Sequence, residues 1–259
     1  LKELKDGNLV DNATKRKLKQ QDQFVALTGE GVQWAGDHRQ KFIAYAVVAV
    51  VLILAIVGGY TFYEHREAQA ATDFGAAMQT YNTPLVSAAQ QIPPGMKTFA
   101  DAKARATAAN GQFLDVANKY GLTKSGKLAL YFAGLTYAEE GQNGPAEDSL
   151  KKVAGSFDSG MAALGKMALA QLYQQTNRDP QAIDLYNELA KTNASTVPAG
   201  LAQLQLAELY ASEGKTEEAR KVYAEIKDKD KNSKGKPGAA AEIAKEKLNP
   251  TAKGGPQQQ

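Results

Sequence analysis

Three tyrosines set the frame for this chain. Tyr137, Tyr173 and Tyr210 stand 36 and 37 residues apart, and the residues around them recur in step. Three places before each is a small residue: Gly134, Ala170 or Ala207. Four places after each is Gly141, Asn177 or Gly214, and nine places after is Ala146, Ala182 or Ala219. Larger residues follow at thirteen places (Leu150, Tyr186, Tyr223) and at sixteen (Val153, Leu189, Ile226). An internal period of this length marks stacked helical hairpins, in which each unit buries its apolar face against its neighbours. The small residue lets two helix backbones approach, and the large ones fill the groove between helices. Gly, Asn and Gly suit the left-handed turn that ends a helix. Asp179-Pro180 then reads as the N-cap and first turn of the next helix, with Thr216 as the corresponding cap in the third copy. Residues 98–120, with Ala109, Phe113 and Val116 in phase, read as a fourth unit without its turn glycine.

These residues resemble the tetratricopeptide repeat, which places Leu-Gly and Tyr on its first helix and Ala then Phe on its second. Departures are visible. The early Trp is replaced by Leu130, Lys166 and Gln203, and Leu or Tyr stands where Phe is usual. Each copy is two or three residues longer than the 34-residue consensus. The resemblance covers residues 98–230, about half the chain.

The second constraint is a run of 22 residues without a charge, Phe42 to Tyr63, bounded by Lys41 and Glu64. As helix it measures roughly 33 Å, enough to cross a hydrocarbon core of about 30 Å. Aromatic residues sit at both ends, as interfacial belts do: Phe42 and Tyr45, then Tyr60, Phe62 and Tyr63. A cleaved signal peptide fits poorly, because the run is too long and the polar stretch before it is too extended. Arg39 and Lys41 precede the run, with Lys15, Arg16, Lys17 and Lys19 further back. Arg66 follows it, among Glu64, Glu67 and Asp73. The basic side normally stays in the cytoplasm. The expected topology is therefore single-pass, N-terminus inside, with residues 64–259 outside, in the periplasm of a bacterium.

The expected fold class is all-α: a single transmembrane helix followed by a tetratricopeptide-like helical-hairpin solenoid. Residues 1–41 form a basic arm, with Leu18, Phe24, Val25 and Leu27 suggesting a short amphipathic helix. Residues 42–63 are the span. Residues 64–97 are an emergent helix, broken at Asn82-Thr83-Pro84, and a linker at Ile92-Pro93-Pro94-Gly95. Residues 98–230 are the repeats. Residues 231–259 are a Lys/Gly-rich segment, a short helix near Ala239–Leu248 and a polar tail. This layout resembles the YfgM-like family, ancillary subunits of the SecYEG translocon in the bacterial inner membrane. The resemblance implies periplasmic repeats and a part in passing secreted polypeptides to chaperones.

Chemistry-bearing motifs are few. The charge balance, 31 basic against 28 acidic residues, gives no field suited to nucleic acid. With no cysteine there is no thiolate nucleophile and no cysteine metal site. Gly121-Leu122-Thr123-Lys124-Ser125-Gly126-Lys127-Leu128 has the spacing of a phosphate-binding loop, but Leu128 replaces the Ser or Thr that holds Mg²⁺, and no strand precedes it. His38 and His65 lie at opposite ends of the run. Ser149-Leu150-Lys151-Lys152 lacks the companion motifs of penicillin-interacting enzymes. Glu139-Glu140 and Glu217-Glu218 are adjacent and so point apart on a helix.

No enzymatic activity and no cofactor or metal are expected. The expected work is binding: a membrane-anchored periplasmic scaffold or chaperone-like adaptor for a membrane complex, secreted polypeptides or both. The alternative is a permanent structural subunit of a larger membrane complex. By helical phase, the first helix of each hairpin presents Leu128, Tyr131 and Leu135, then Leu164, Met167 and Gln171, then Leu201, Leu204 and Glu208. From this wall the expected partner-binding residues are Tyr131, Leu135, Met167, Gln171, Leu204 and Glu208, with Tyr131, Met167 and Leu204 as anchors.

Overall fold

The computed structural model describes residues 39–86, 95, 97–192, 194–230 and 235–249. The amphipathic segment suggested around Leu18–Leu27, the linker residues 92–94 and the tail beyond Asn249 lie outside the described residues. Among the described residues all regular structure is helical. The helices are α1 (Arg39–Tyr81), α2 (Ala102–Tyr120), α3 (Lys124–Glu139), α4 (Asn143–Ala154), α5 (Ser159–Gln175), α6 (Asp179–Leu189), α7 (Ala199–Ser212), α8 (Thr216–Lys229) and α9 (Ala239–Leu248). The chain divides into two units, residues 1–62 and 63–259.

In the first unit the described part is helical, and α1 is long and apolar enough to cross a membrane. The large apolar side chains from Ile43 to Phe62 are all exposed. A core helix of a water-soluble protein would have them covered.

The second unit is an array of hairpins. Each helix from α2 onward packs on the next, and α3 also touches α5, as α7 touches α9. The recurring positions build the core. Ala146, Ala182 and Ala219 are buried, as are Leu150, Tyr186, Tyr223, Val153, Leu189 and Ile226. Ala170 and Ala207 are fully buried. A β-carbon on Gly134 would come within 2.8 Å of the Leu150 side chain, which shows why the smallest residue stands at that crossing.

The turns explain the rest of the period. Gly141, Asn177 and Gly214 all have positive φ, at 80°, 55° and 76°. The next residue in each turn donates its N–H to the carbonyl of the repeated tyrosine: Gln142 to Tyr137 at 2.8 Å, Arg178 to Tyr173 at 2.8 Å and Lys215 to Tyr210 at 2.9 Å. The turn residue itself donates to Ala138, Gln174 or Ala211. This double closure is the Schellman motif, repeated three times, with the tyrosine third from the helix end. The apolar contact that usually accompanies it is replaced in two copies by a cation over the ring. Arg178 lies 4.2 Å from the Tyr173 centroid and Lys215 lies 5.8 Å from that of Tyr210.

Two sequence expectations are corrected here. Asp179 and Thr216 are first-turn residues, not caps, and the cap positions belong to Arg178 and Lys215, which make no side-chain cap bond. In a turn this tight the cap residue's N–H is already spent on the tyrosine carbonyl, and its place is fixed by the turn rather than by its side chain. Side-chain caps occur instead in other connections: Asp101 accepts from Ala104, Thr123 from Gly126 and Asp158 from Met161. The second correction concerns the start of the array. Its packing extends ahead of residue 98, onto the end of α1. Ala70 and Ala77 are fully buried, and Phe74, Met78 and Tyr81 pack with Phe113, Val116, Tyr120, Ala129, Ala133 and Phe132. The end of α1 is therefore the first helix of the first hairpin, with α2 as the second. The long connection between them is held at its ends, where Val86 donates to the Phe99 carbonyl and Phe99 to that of Pro84.

Candidate functional site

Within the second unit the first helices of the later hairpins are α3, α5 and α7, and the expected binding wall runs along them. Leu128, Tyr131, Leu135 and Leu164 are half-buried, while Gln171, Leu201 and Glu208 are exposed. Met167 and Leu204 are 9 % and 5 % exposed, and each belongs to an apolar core cluster. They are corrected from anchors to core residues. Every first helix is flanked by the second helix before it and the one after it, and α3 is covered further by α5. On α5 and α7 the middle residue of this two-turn stripe is thus closed over, while its ends are less covered.

The open residues are chemically mixed. Tyr131 stands edge-on to Phe132, with 5.4 Å between centroids, and burial raises its phenol above the ordinary value. Leu201 is 42 % exposed. Glu208 faces Lys247 of α9 at 3.8 Å and Gln205 on its own helix at 3.2 Å. The face is apolar along α3, mixed along α5 and acid-tipped along α7. It offers surface for contact.

The polar clusters elsewhere are accounted for by the fold. Glu147 accepts from Arg178 at 2.8 Å, from Lys151 at 2.7 Å and from Tyr173 at 3.0 Å. These donors, Arg178 foremost and Lys151 next, hold its carboxyl down at about 2. The cluster ties α4 to the turn between α5 and α6. Tyr81 donates to Glu139, and burial together with that carboxylate pushes its phenol up to about 12. Asn110 is buried and donates to the Ala133 carbonyl at 3.0 Å and to Thr136 at 2.9 Å. His65 meets the Gln69 side chain at 3.1 Å, and Ser149 donates to the Pro145 carbonyl. Among the described residues no group of three or more His, Asp or Glu side chains is gathered as for a metal.

The glycine-rich segment at Gly121 is a helix connection. Thr123 caps α3, and the Glu67 carboxylate already occupies the helix N-terminus. Glu67 accepts from the Ser125 N–H at 3.3 Å and from its hydroxyl at 2.8 Å. An intramolecular anion fills the place a phosphate would need. No known family model, curated protein or solved structure matches this chain.

Proposed function

We propose that this protein is a membrane-anchored protein-binding scaffold, acting as a chaperone-like adaptor beside a larger membrane complex. The observation that carries this reading is the open part of the first-helix stripe: Gln171, Leu201 and Glu208 are exposed on α5 and α7, and Leu128, Leu135 and Leu164 are only half-buried in line with them on α3 and α5. Stacked hairpins commonly use such a surface for recognition. The likeness of the repeat to tetratricopeptide units, and of the layout to the YfgM-like translocon subunits, supports a protein partner. The basic flank before the apolar run supports an N-terminus in the cytoplasm and repeats in the periplasm of a bacterium.

The test is purification of the tagged full-length chain from native membranes. Wild type and the triple variant Gln171→Ala, Leu201→Ser, Glu208→Ala are compared. The three side chains are exposed, so each change costs the fold roughly 0.5 kcal/mol or less. The partner recovered with wild type is expected to be lost from the variant, with the amount in the membrane unchanged. Equal recovery at fixed stoichiometry from both proteins contradicts the adaptor reading and indicates a permanent subunit held elsewhere.

A further inference from the structure

The connections between hairpins share one edge of the second unit, and two of them leave a large apolar side chain in water. Phe157, between α4 and α5, is fully exposed, and Leu122, between α2 and α3, is 88 % exposed. Both stand two residues ahead of the helix that follows. The residue in the same place before α7 is Val197, and it is 2 % exposed. The fold therefore has a way to bury an apolar residue here and does not use it in the first two connections.

Lysines and carboxylates share this edge: Lys124 and Lys127 act on Asp158, next to Phe157, and the Glu67 carboxylate meets Ser125 beside Lys124. Residues 117–127 contain Lys119, Lys124 and Lys127 and no acid. Lys119 pairs with Asp73 at 3.3 Å, which leaves Lys124 and Lys127 beside Leu122. The acid next to Phe157 is Asp158, whose carboxylate is engaged by the Met161 N–H. The backbone N–H groups of Met161 and Gly160 hold Asp158 below the ordinary carboxylate range, and the charges of Lys127 and Lys124 add to this. The two connections therefore share one electrostatic neighbourhood. The opposite edge, where the tight turns lie, carries Glu139, Glu140, Glu213, Glu217 and Glu218.

The basic edge is also the one at which the chain enters the second unit. Glu67 binds Ser125 in the first turn of α3, just after the first of these connections, whereas Tyr81, at the far end of α1, reaches Glu139 at the acidic edge. Glu67 is four residues after Tyr63, the last residue of the uncharged run. Four residues of chain reach at most about 14 Å. Chain length alone keeps the Leu122 connection close to the end of that run.

We infer that Leu122 and Phe157, with Lys124 and Lys127 beside them, form a second membrane contact, in which the two apolar tips enter the headgroup region and the lysines meet anionic lipid. Apolar tips with lysine beside them suit this surface, because the ring or branched tip gains from the acyl boundary while the ammonium groups stay among the headgroups. The inference rests on the reading of the uncharged run as a span.

The chain has no cysteine, so Phe157→Cys supplies a single thiol for a nitroxide label, and Glu217→Cys supplies the control at the acidic edge. The labelled full-length proteins are placed in phosphatidylcholine vesicles containing phosphatidylglycerol and recovered by flotation. Accessibility to an aqueous nickel complex and to oxygen is then measured. At position 157 nickel accessibility is expected to fall several-fold below that at 217, with oxygen accessibility rising. Lys124→Glu with Lys127→Glu is expected to restore the aqueous values. Floated protein with equal accessibility at 157 and 217 overturns the contact while leaving the span reading intact. Protein that does not float overturns the span reading itself, and the contact with it.

Discussion

Phe113→Ala is expected to cost the fold about 3–5 kcal/mol, the range for deleting a buried aromatic ring. Phe113 is fully buried and sits among three other rings. Phe132 stacks on it at 5.3 Å, Phe74 lies at 5.8 Å and Tyr81 meets it edge-on at 6.1 Å. Its neighbours in the cluster are mostly rings and alanines, with Met78 and Leu114 partly buried against it. The loss falls in the first layer of the array, where the end of α1, α2 and α3 meet. In an array held together by neighbour contacts, damage in one layer need not spread to the far end. Hydrogen exchange of the full-length chain should show faster exchange across residues 63–139 and little change across α7 to α9. Uniform acceleration along the whole chain, or none, would contradict the layered packing.

Gly165→Ala is expected to destabilise the protein by roughly 1–2 kcal/mol, although glycine-to-alanine in a helix interior usually stabilises by about 1 kcal/mol. Gly165 lies within α5, where its backbone meets the end of α4. A β-carbon there would stand 2.5 Å from the Ala154 nitrogen and 2.8 Å from the Val153 carbonyl carbon. Those are backbone atoms, so relief requires the two helices to move apart. Gly111 is the internal control. It lies within α2 with nothing within 4 Å of its would-be β-carbon. Gly111→Ala should therefore raise stability by about 0.5–1 kcal/mol. Denaturant unfolding of the two variants should give opposite signs. The same sign for both would show that α4 and α5 do not cross where Gly165 places them.

The hairpin array was legible because the period repeats three kinds of information at once: a small crossing residue, a turn residue tolerant of positive φ, and two large second-helix residues. Each has a separate physical cause, and all three coincide at 36 or 37 residues. The role of α1 was not read from that pattern. Met78 stands where the other copies have Gly or Ala, and residues 82–101 replace the tight turn, so no repeat signal marks the first hairpin. A signal was present in another form. Ala70, Phe74, Ala77, Met78 and Tyr81 recur at helical spacing and describe one apolar face. The binding wall was only half legible. Helical phase places Met167 and Leu204 in line with Gln171 and Glu208 but cannot say which part of the line a neighbouring helix covers. The exposed pair Leu122 and Phe157 carries no sequence signal that separates it from the buried Val197, since all three are apolar residues just ahead of a helix.

The central claim is that the open face of the first helices meets another protein. A photo-activated crosslinking residue at position 201, on α7, tests it in intact cells, with position 220 on α8 as the comparison. Leu201 and Arg220 are both exposed, so neither replacement disturbs the core. A discrete crosslinked product containing a second protein is predicted from position 201 and not from 220. Equal crosslinking from both positions, or a product from 220 alone, would contradict the assignment of the binding face to the first helices.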